Sequence, residues 1–262
     1  MPGCDLGTAV VVLAWITGVL GVDAVRALDG HEAARQVGLG AATWLLLAVL
    51  LRREPPLVRA QTLVVVAIAT GVEYTFSPLL QAYTYRIGTV PIFVPPGHGL
   101  VYVAALSIGR SAAARSRSRL LVALTCLLGT GWVSYGLIPP RHDVLGAFWF
   151  ACLLLFLRFG RARLLYVGAF VVVSYLELLG TAVGTWAWAA TDPVLHVVGQ
   201  GNPPSGAAGG YGWFDLYAVL AAPSLVAWLR GRLRRQHVED VVVQRAVGGE
   251  GVVTERPVSA LE

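Results

Sequence analysis

Five ionisable residues sit inside apolar runs where a charge is costly: Glu73, His98, Asp143, Glu177 and Asp215. Two carboxylic acids, a histidine and two further acids in apolar surroundings are the components of acid–base chemistry. A carboxyl there is expected to be neutral at rest, a proton donor in waiting. Thr70-x-x-Glu73-x-x-x-Ser77 and Ser174-x-x-Glu177-x-x-x-Thr181 surround each glutamate with hydroxyls one helical turn away, expected to share its hydrogen bonds. Aromatic residues follow both: Tyr83 and Tyr85 after Glu73, Trp186 and Trp188 after Glu177. Electron-rich rings stabilise cations. An interfacial aromatic belt is the plainer reading of the same residues. Asn202 and Arg86 complete the expected substrate contacts. Arg86 would meet an anionic head group or simply snorkel.

These residues need helices that cross lipid. Hydrophobic residues make up 56% of the 262-residue chain and charged residues 13%, about half the charged share of a soluble domain. So little polar surface excludes a soluble enzyme, a nucleic-acid binder and a disordered chain as whole-molecule readings. The expected fold is all-α and polytopic. Eight apolar runs read as spans: Leu6–Val25, Ala33–Leu51, Ala60–Leu80, Gly97–Ile108, Leu120–Ile138, Asp143–Leu157, Leu164–Ala189 and Tyr211–Leu229. Proline at 91, 95 and 96 is expected to forbid a regular helix above Gly97, leaving His98 in the first turn of the fourth span. The first run lacks the features of a cleaved signal and reads as a retained helix.

All 20 basic residues are arginine. Without lysine there is no retinal Schiff base and no lysine nucleophile, and the bias fits a GC-rich bacterial genome. Fourteen arginines fall on one side of the expected spans and four on the other, which predicts a plasma-membrane protein with both termini cytoplasmic. Counted from the nearest arginine, Glu73, His98, Asp143, Glu177 and Asp215 fall in one layer, roughly 18–23 Å from the cytoplasmic boundary at 1.5 Å per residue.

The glutamate motifs repeat at an offset of 104, Pro95-Pro96-Gly97 and Pro203-Pro204-Ser205 at 108. This suggests a four-plus-four parallel duplication. Residues 1–110 form the first repeat, 111–235 the second, and 236–262 a disordered cytoplasmic tail. Cys4, Cys126 and Cys152 have no metal spacing. Only His98 and His142 are placed for a metal, and neither a metal nor a cofactor is expected. The expected partners are the bilayer and a lipidic substrate, with no nucleic acid. A homo-oligomer is compatible with all of this.

The stretch Glu177-Leu-Leu-Gly180-Thr181-Ala-Val-Gly184-Thr-Trp186-Ala-Trp188 resembles the bisanhydrobacterioruberin hydratase family of carotenoid-biosynthesis membrane proteins. Its members carry a Glu followed by Gly at +3 and +7, spaced aromatics and a Pro-rich turn. Glu73, Tyr83, Tyr85, Pro91 and Pro95 look like the same device, with Phe76 and Leu80 where the glycines would be. The resemblance implies addition of water across a prenyl double bond, a lyase reaction. A more distant likeness is to membrane terpene cyclases. The functional expectation is an integral-membrane enzyme, hydratase or cyclase, that protonates an isoprenoid lipid with Glu73 or Glu177. His98 would act as base or water-orienting group, and Asp143 and Asp215 would tune the pair. The alternatives are a proton-coupled carrier of a small or lipidic substrate, and an assembly protein whose acids hold helices together.

Overall fold

The computed structural model describes residues 6–25, 30–138, 142–194 and 196–247. They form an all-helical architecture: α1 Gly7–Asp23, α2 Glu32–Leu51, α3 Pro56–Tyr74, α4 Val94–Arg110, α5 Ala112–Ser116, α6 Ser118–Gly136, α7 Val144–Phe159, α8 Arg163–Ala182 and α9 Ala207–Val247. Two three-residue strands, β1 Tyr83–Tyr85 and β2 Trp186–Trp188, make the one sheet found among these residues. Among the described residues four stretches are long and apolar enough to cross a membrane: Glu32–Leu51, Pro56–Leu79, Ser118–Gly136 and Arg163–Ala182. Large apolar side chains such as Leu45, Leu127, Leu128, Phe159 and Leu220 stand exposed on the helices. Such a surface belongs in lipid.

The most enclosed element is α4. Its residues from His98 to Ala105 are all buried, and it packs against α1, α2, α3 and α8. A helix apolar on every side is one covered on every side. Small residues allow the closest of these contacts: a Cβ on Gly168 of α8 would meet the Ala105 backbone, and one on Gly109 of α4 the Leu164 backbone. A helix from each expected repeat, α4 and α8, therefore packs together within the unit Met1–Ala222; the second unit is Pro223–Glu262.

Several boundaries differ from expectation. Pro95 and Pro96 lie in the first turn of α4, where a missing N–H costs nothing. The helix thus starts at Val94, and His98 lies a turn inside it. The seventh expected span ran on to Ala189, but α8 stops at Ala182 and the chain turns through Gly184 at φ +73° into β2. At Pro78, which has no N–H to continue an α-helix, α3 widens into a π-helical turn over Thr75–Leu79. The expected tail from Gln236 continues in α9 as far as Val247, and residues 248–262 lie outside the described set.

Candidate functional site

Strand parity builds the site. Residues i and i+2 of a strand share a face, so Tyr-Thr-Tyr and Trp-Ala-Trp each turn two rings to one side. The strands pair antiparallel, with Tyr83 opposite Trp188 and Tyr85 opposite Trp186. The Tyr83 and Trp188 rings lie 4.6 Å apart, those of Tyr85 and Trp186 6.1 Å. Each strand serves the glutamate that precedes it. The hydroxyls of Tyr83 and Tyr85 both donate to Glu73 Oε2, at 2.9 and 2.7 Å. The indole N–H groups of Trp186 and Trp188 both donate to Glu177 Oε2, at 3.0 and 3.1 Å. Burial, and then the Glu73 carboxyl, push both phenols up from the ordinary tyrosine value, so they act as donors.

Glu73 has a third partner, His98, whose Nε2 lies 2.8 Å from Oε1. His98 stacks on Tyr211 of α9 at 5.2 Å, and Phe214 meets it edge-on at 5.7 Å. The His98 Nδ1 atom is buried without a partner. Glu177 makes no bond through Oε1 among the described residues.

Glu73, Glu177 and His98 all line one cavity of about 560 Å³. Its wall also includes Trp15, Val72, Leu100, Phe148, Leu176 and Tyr217. Phe76, Phe148, Trp213 and Tyr217 line the cavity and are also exposed on the helix surface.

The expected layer of five divides here. Asp143 caps α7 through Gly146 N–H and accepts from Gly201 N–H, Ser205 N–H and the Ser205 hydroxyl, at 2.6 to 3.0 Å. It holds the Gly-rich segment before α9 and does not line the cavity. An Asp three residues before the N–H it accepts is an N-cap, and its position just ahead of an apolar run was the legible signal. Asp215 is buried outside the cavity, in electrostatic reach of Tyr102 and Tyr166. The hydroxyls expected to bond the glutamates also behave otherwise: Thr70 bonds the Val66 carbonyl and Thr181 the Glu177 carbonyl of their own helices.

Asn202 and Arg86 support the strands from outside the cavity. Asn202 accepts the Trp188 main-chain N–H at 3.0 Å. Arg86 donates to the carbonyl of Asp23 and, at 3.2 Å, to its carboxylate. Asp23 is itself buried, and it accepts from Gln36 at 2.8 Å with Arg35 4.0 Å away. Sequence reasoning missed this cluster because its members belong to three separate segments. Asp192 is a further carboxyl in the cavity wall that the sequence reading placed in no role. Among the described residues no group of three His, Cys, Asp or Glu side chains is set to hold a metal ion. No protein-family model, no curated protein and no solved structure matches the chain.

Proposed function

We propose that this protein is an integral-membrane enzyme that protonates a carbon–carbon double bond of an isoprenoid or related apolar lipid, leading to hydration or cyclisation. The observation that carries the reading is the pair of differently bonded carboxyls, with a histidine, in one apolar cavity walled by aromatic rings. The two carboxyls suit different tasks. An indole N–H can only donate. Glu177 Oε2 therefore serves as an acceptor, and a proton on Glu177 belongs to Oε1. Glu73 has partners on both oxygens: two phenol donors on Oε2 and the His98 imidazole at Oε1. In the proposal Glu73 and the His98 ring bonded to it form the pair that takes up the returning proton.

In the proposed step the Glu177 Oε1–H bond breaks and the alkene π pair takes the proton. A carbocation forms on the neighbouring carbon, faced by the aromatic wall. In hydration a water oxygen bonds that carbon and loses a proton to the Glu73–His98 pair. In cyclisation a second π pair closes the ring, and a C–H proton goes to the same acceptor. Return of that proton to Glu177 resets the site, so hydration consumes only alkene and water. Aromatic residues that are both cavity wall and outer surface favour entry sideways from lipid.

The wider topology belongs to the same proposal. Eight spans, cytoplasmic termini and residence in a bacterial plasma membrane rest on the arginine asymmetry. A parallel duplication is supported by the matching glutamate clamps and by a strand pairing with local two-fold character about Thr84 and Ala187. The hydratase-type chemistry that the Glu177 motif implies is compatible with this site.

Membranes containing the protein, incubated in D2O with an isoprenoid lipid extract, test the reading. The expected result is carbon-bound deuterium in a recovered lipid, lost in the Glu177→Gln variant. Full incorporation in both Glu177→Gln and Glu73→Gln would overturn it. Substrate accumulation in sealed vesicles without deuterium at carbon would favour the alternative, a proton-coupled carrier.

A further inference from the structure

We infer that the strand-capped end of the cavity binds a hydrophobic organic cation, an alkyl chain ending in a quaternary ammonium group. The inference shares its cavity with the proposed enzyme but rests on what the wall presents. Tyr83, Tyr85, Trp186, Trp188 and Tyr211 come from three elements and line one space. Four of them have already used their polar hydrogens: both phenols on Glu73, both indoles on Glu177. What the two indoles can still offer a ligand is ring face and ring edge, and the two phenols offer these with an oxygen acceptor each. The carboxyls add acceptors, and Glu177, 3% exposed, lines the cavity and has no bond at Oε1 among the described residues.

The charge balance of the wall points the same way. Glu73, Glu177 and Asp192 line the cavity, and among the described residues no arginine does. An anion would find three acids and few donors. A quaternary ammonium needs no acceptor at all. It binds through the electrostatic attraction of aromatic faces, with Glu177 meeting it as the carboxylate and not as the acid of the proposed proton transfer, and aromatic boxes recognise such groups for this reason. Beyond the rings the wall is aliphatic, with Ile16, Val19, Leu20, Val72, Leu100 and Val101 placed to receive an alkyl chain. A volume of about 560 Å³ accommodates both parts.

The test uses the full chain in lipid nanodiscs and measures binding by quenching of tryptophan fluorescence, corrected for partition into lipid. The probes are hexyltrimethylammonium and its uncharged isostere 2,2-dimethyloctane, with hexyl sulfate as competitor. The ammonium is expected to bind at least tenfold tighter than the isostere. Hexyl sulfate is expected not to displace it. Glu177→Gln, which keeps an acceptor for both indoles, is expected to lose at least tenfold in ammonium affinity with no change in affinity for the hydrocarbon. Trp188→Phe, which keeps a ring, is expected to retain ammonium binding within a few-fold. Equal affinity for cation and isostere would overturn the inference, as would ammonium affinity unchanged in Glu177→Gln. Ammonium selectivity without deuterium incorporation would uphold this site and end the proposed enzyme. Incorporation without ammonium selectivity would do the reverse.

Discussion

Two clamps of the same design hold Glu73 and Glu177, and they differ in what their donors can do. At Glu73 the partners are phenols, which can also accept, and an imidazole, which can carry a proton either way. At Glu177 both donors are indoles, which can only donate, and one carboxyl oxygen is left to the cavity. The local backbones differ as well. Gly180 leaves the space in which the Trp186 ring crosses α8, since a Cβ there would run into the indole. Phe76 takes the corresponding place on the other clamp, where a π-helical turn carries the chain to β1. The anchors differ too. A buried ionic cluster at Asp23 ties down the chain just after β1 through Arg86. The β2 side is held by a neutral amide, Asn202 on the Trp188 N–H, while Gln200 bonds the Ala82 carbonyl just ahead of β1. One geometry has thus been built twice from groups of different proton chemistry, and that difference lets one acid give while the other receives.

The sharpest way to break this contrast is to remove the acids one at a time. Glu177→Gln is expected to lower deuterium incorporation by about 10²–10⁴-fold, the usual worth of a positioned general acid. His98→Gln removes the proton-accepting partner and is expected to cost about 10²-fold with the fold intact, as judged by thermal unfolding. Equal losses in Glu73→Gln and Glu177→Gln, each restored by the same added weak acid, would erase the division of labour.

The anchors come next. Asp23→Asn removes the charge that Arg35 and Arg86 face, and breaking a buried ion pair from one side costs about 3–5 kcal/mol. Asn202→Ala removes one neutral bond and is expected to cost about 0.5–1.5 kcal/mol. Denaturation of both variants in matched detergent tests whether the β1 anchor is the stronger one. Gly180→Leu overpacks the Trp186 ring and is expected to cost about 1–3 kcal/mol and to disorder that indole. Phe76→Gly has no ring to free and should leave Trp186 fluorescence unchanged. The smallest effects are expected from Tyr83→Phe and Trp188→Phe, each losing one hydrogen bond of about 0.5–1.5 kcal/mol. If the contrast holds, the tyrosine change slows incorporation more than the tryptophan change does, because only the phenol sits in a proton-carrying chain.

Much of this was legible in the residues. Runs of apolar side chains gave helices α1, α2, α3, α6 and α7 to within a few residues of their bounds, because burial in lipid demands a minimum apolar length. Similar counts from the arginines put Glu73, His98 and Glu177 at one height, and the three do line one cavity. The same count gave Asp143 and Asp215 that height, and neither joins them. Counting along a helix measures rise alone, while successive side chains also turn by about 100°. Asp143 shows a second reason. A carboxyl at a helix start satisfies the nearest unpaired N–H groups before it can serve a distant site. The strands escaped notice because three residues carry too little pattern to separate a strand from the end of an apolar helix.

The residue order alone settled that this chain is helical, that its surface is apolar enough to favour lipid, and that two acids with paired aromatics recur along it. Those properties follow from composition and local period, which need no partner. Tertiary structure decided which side chains face one another. It put Tyr83 against Trp188, gave His98 to Glu73 and left an oxygen of Glu177 unbonded. Such pairings depend on helix rotation and on contacts between segments far apart in the chain, where a shift of one residue turns a side chain to another neighbour.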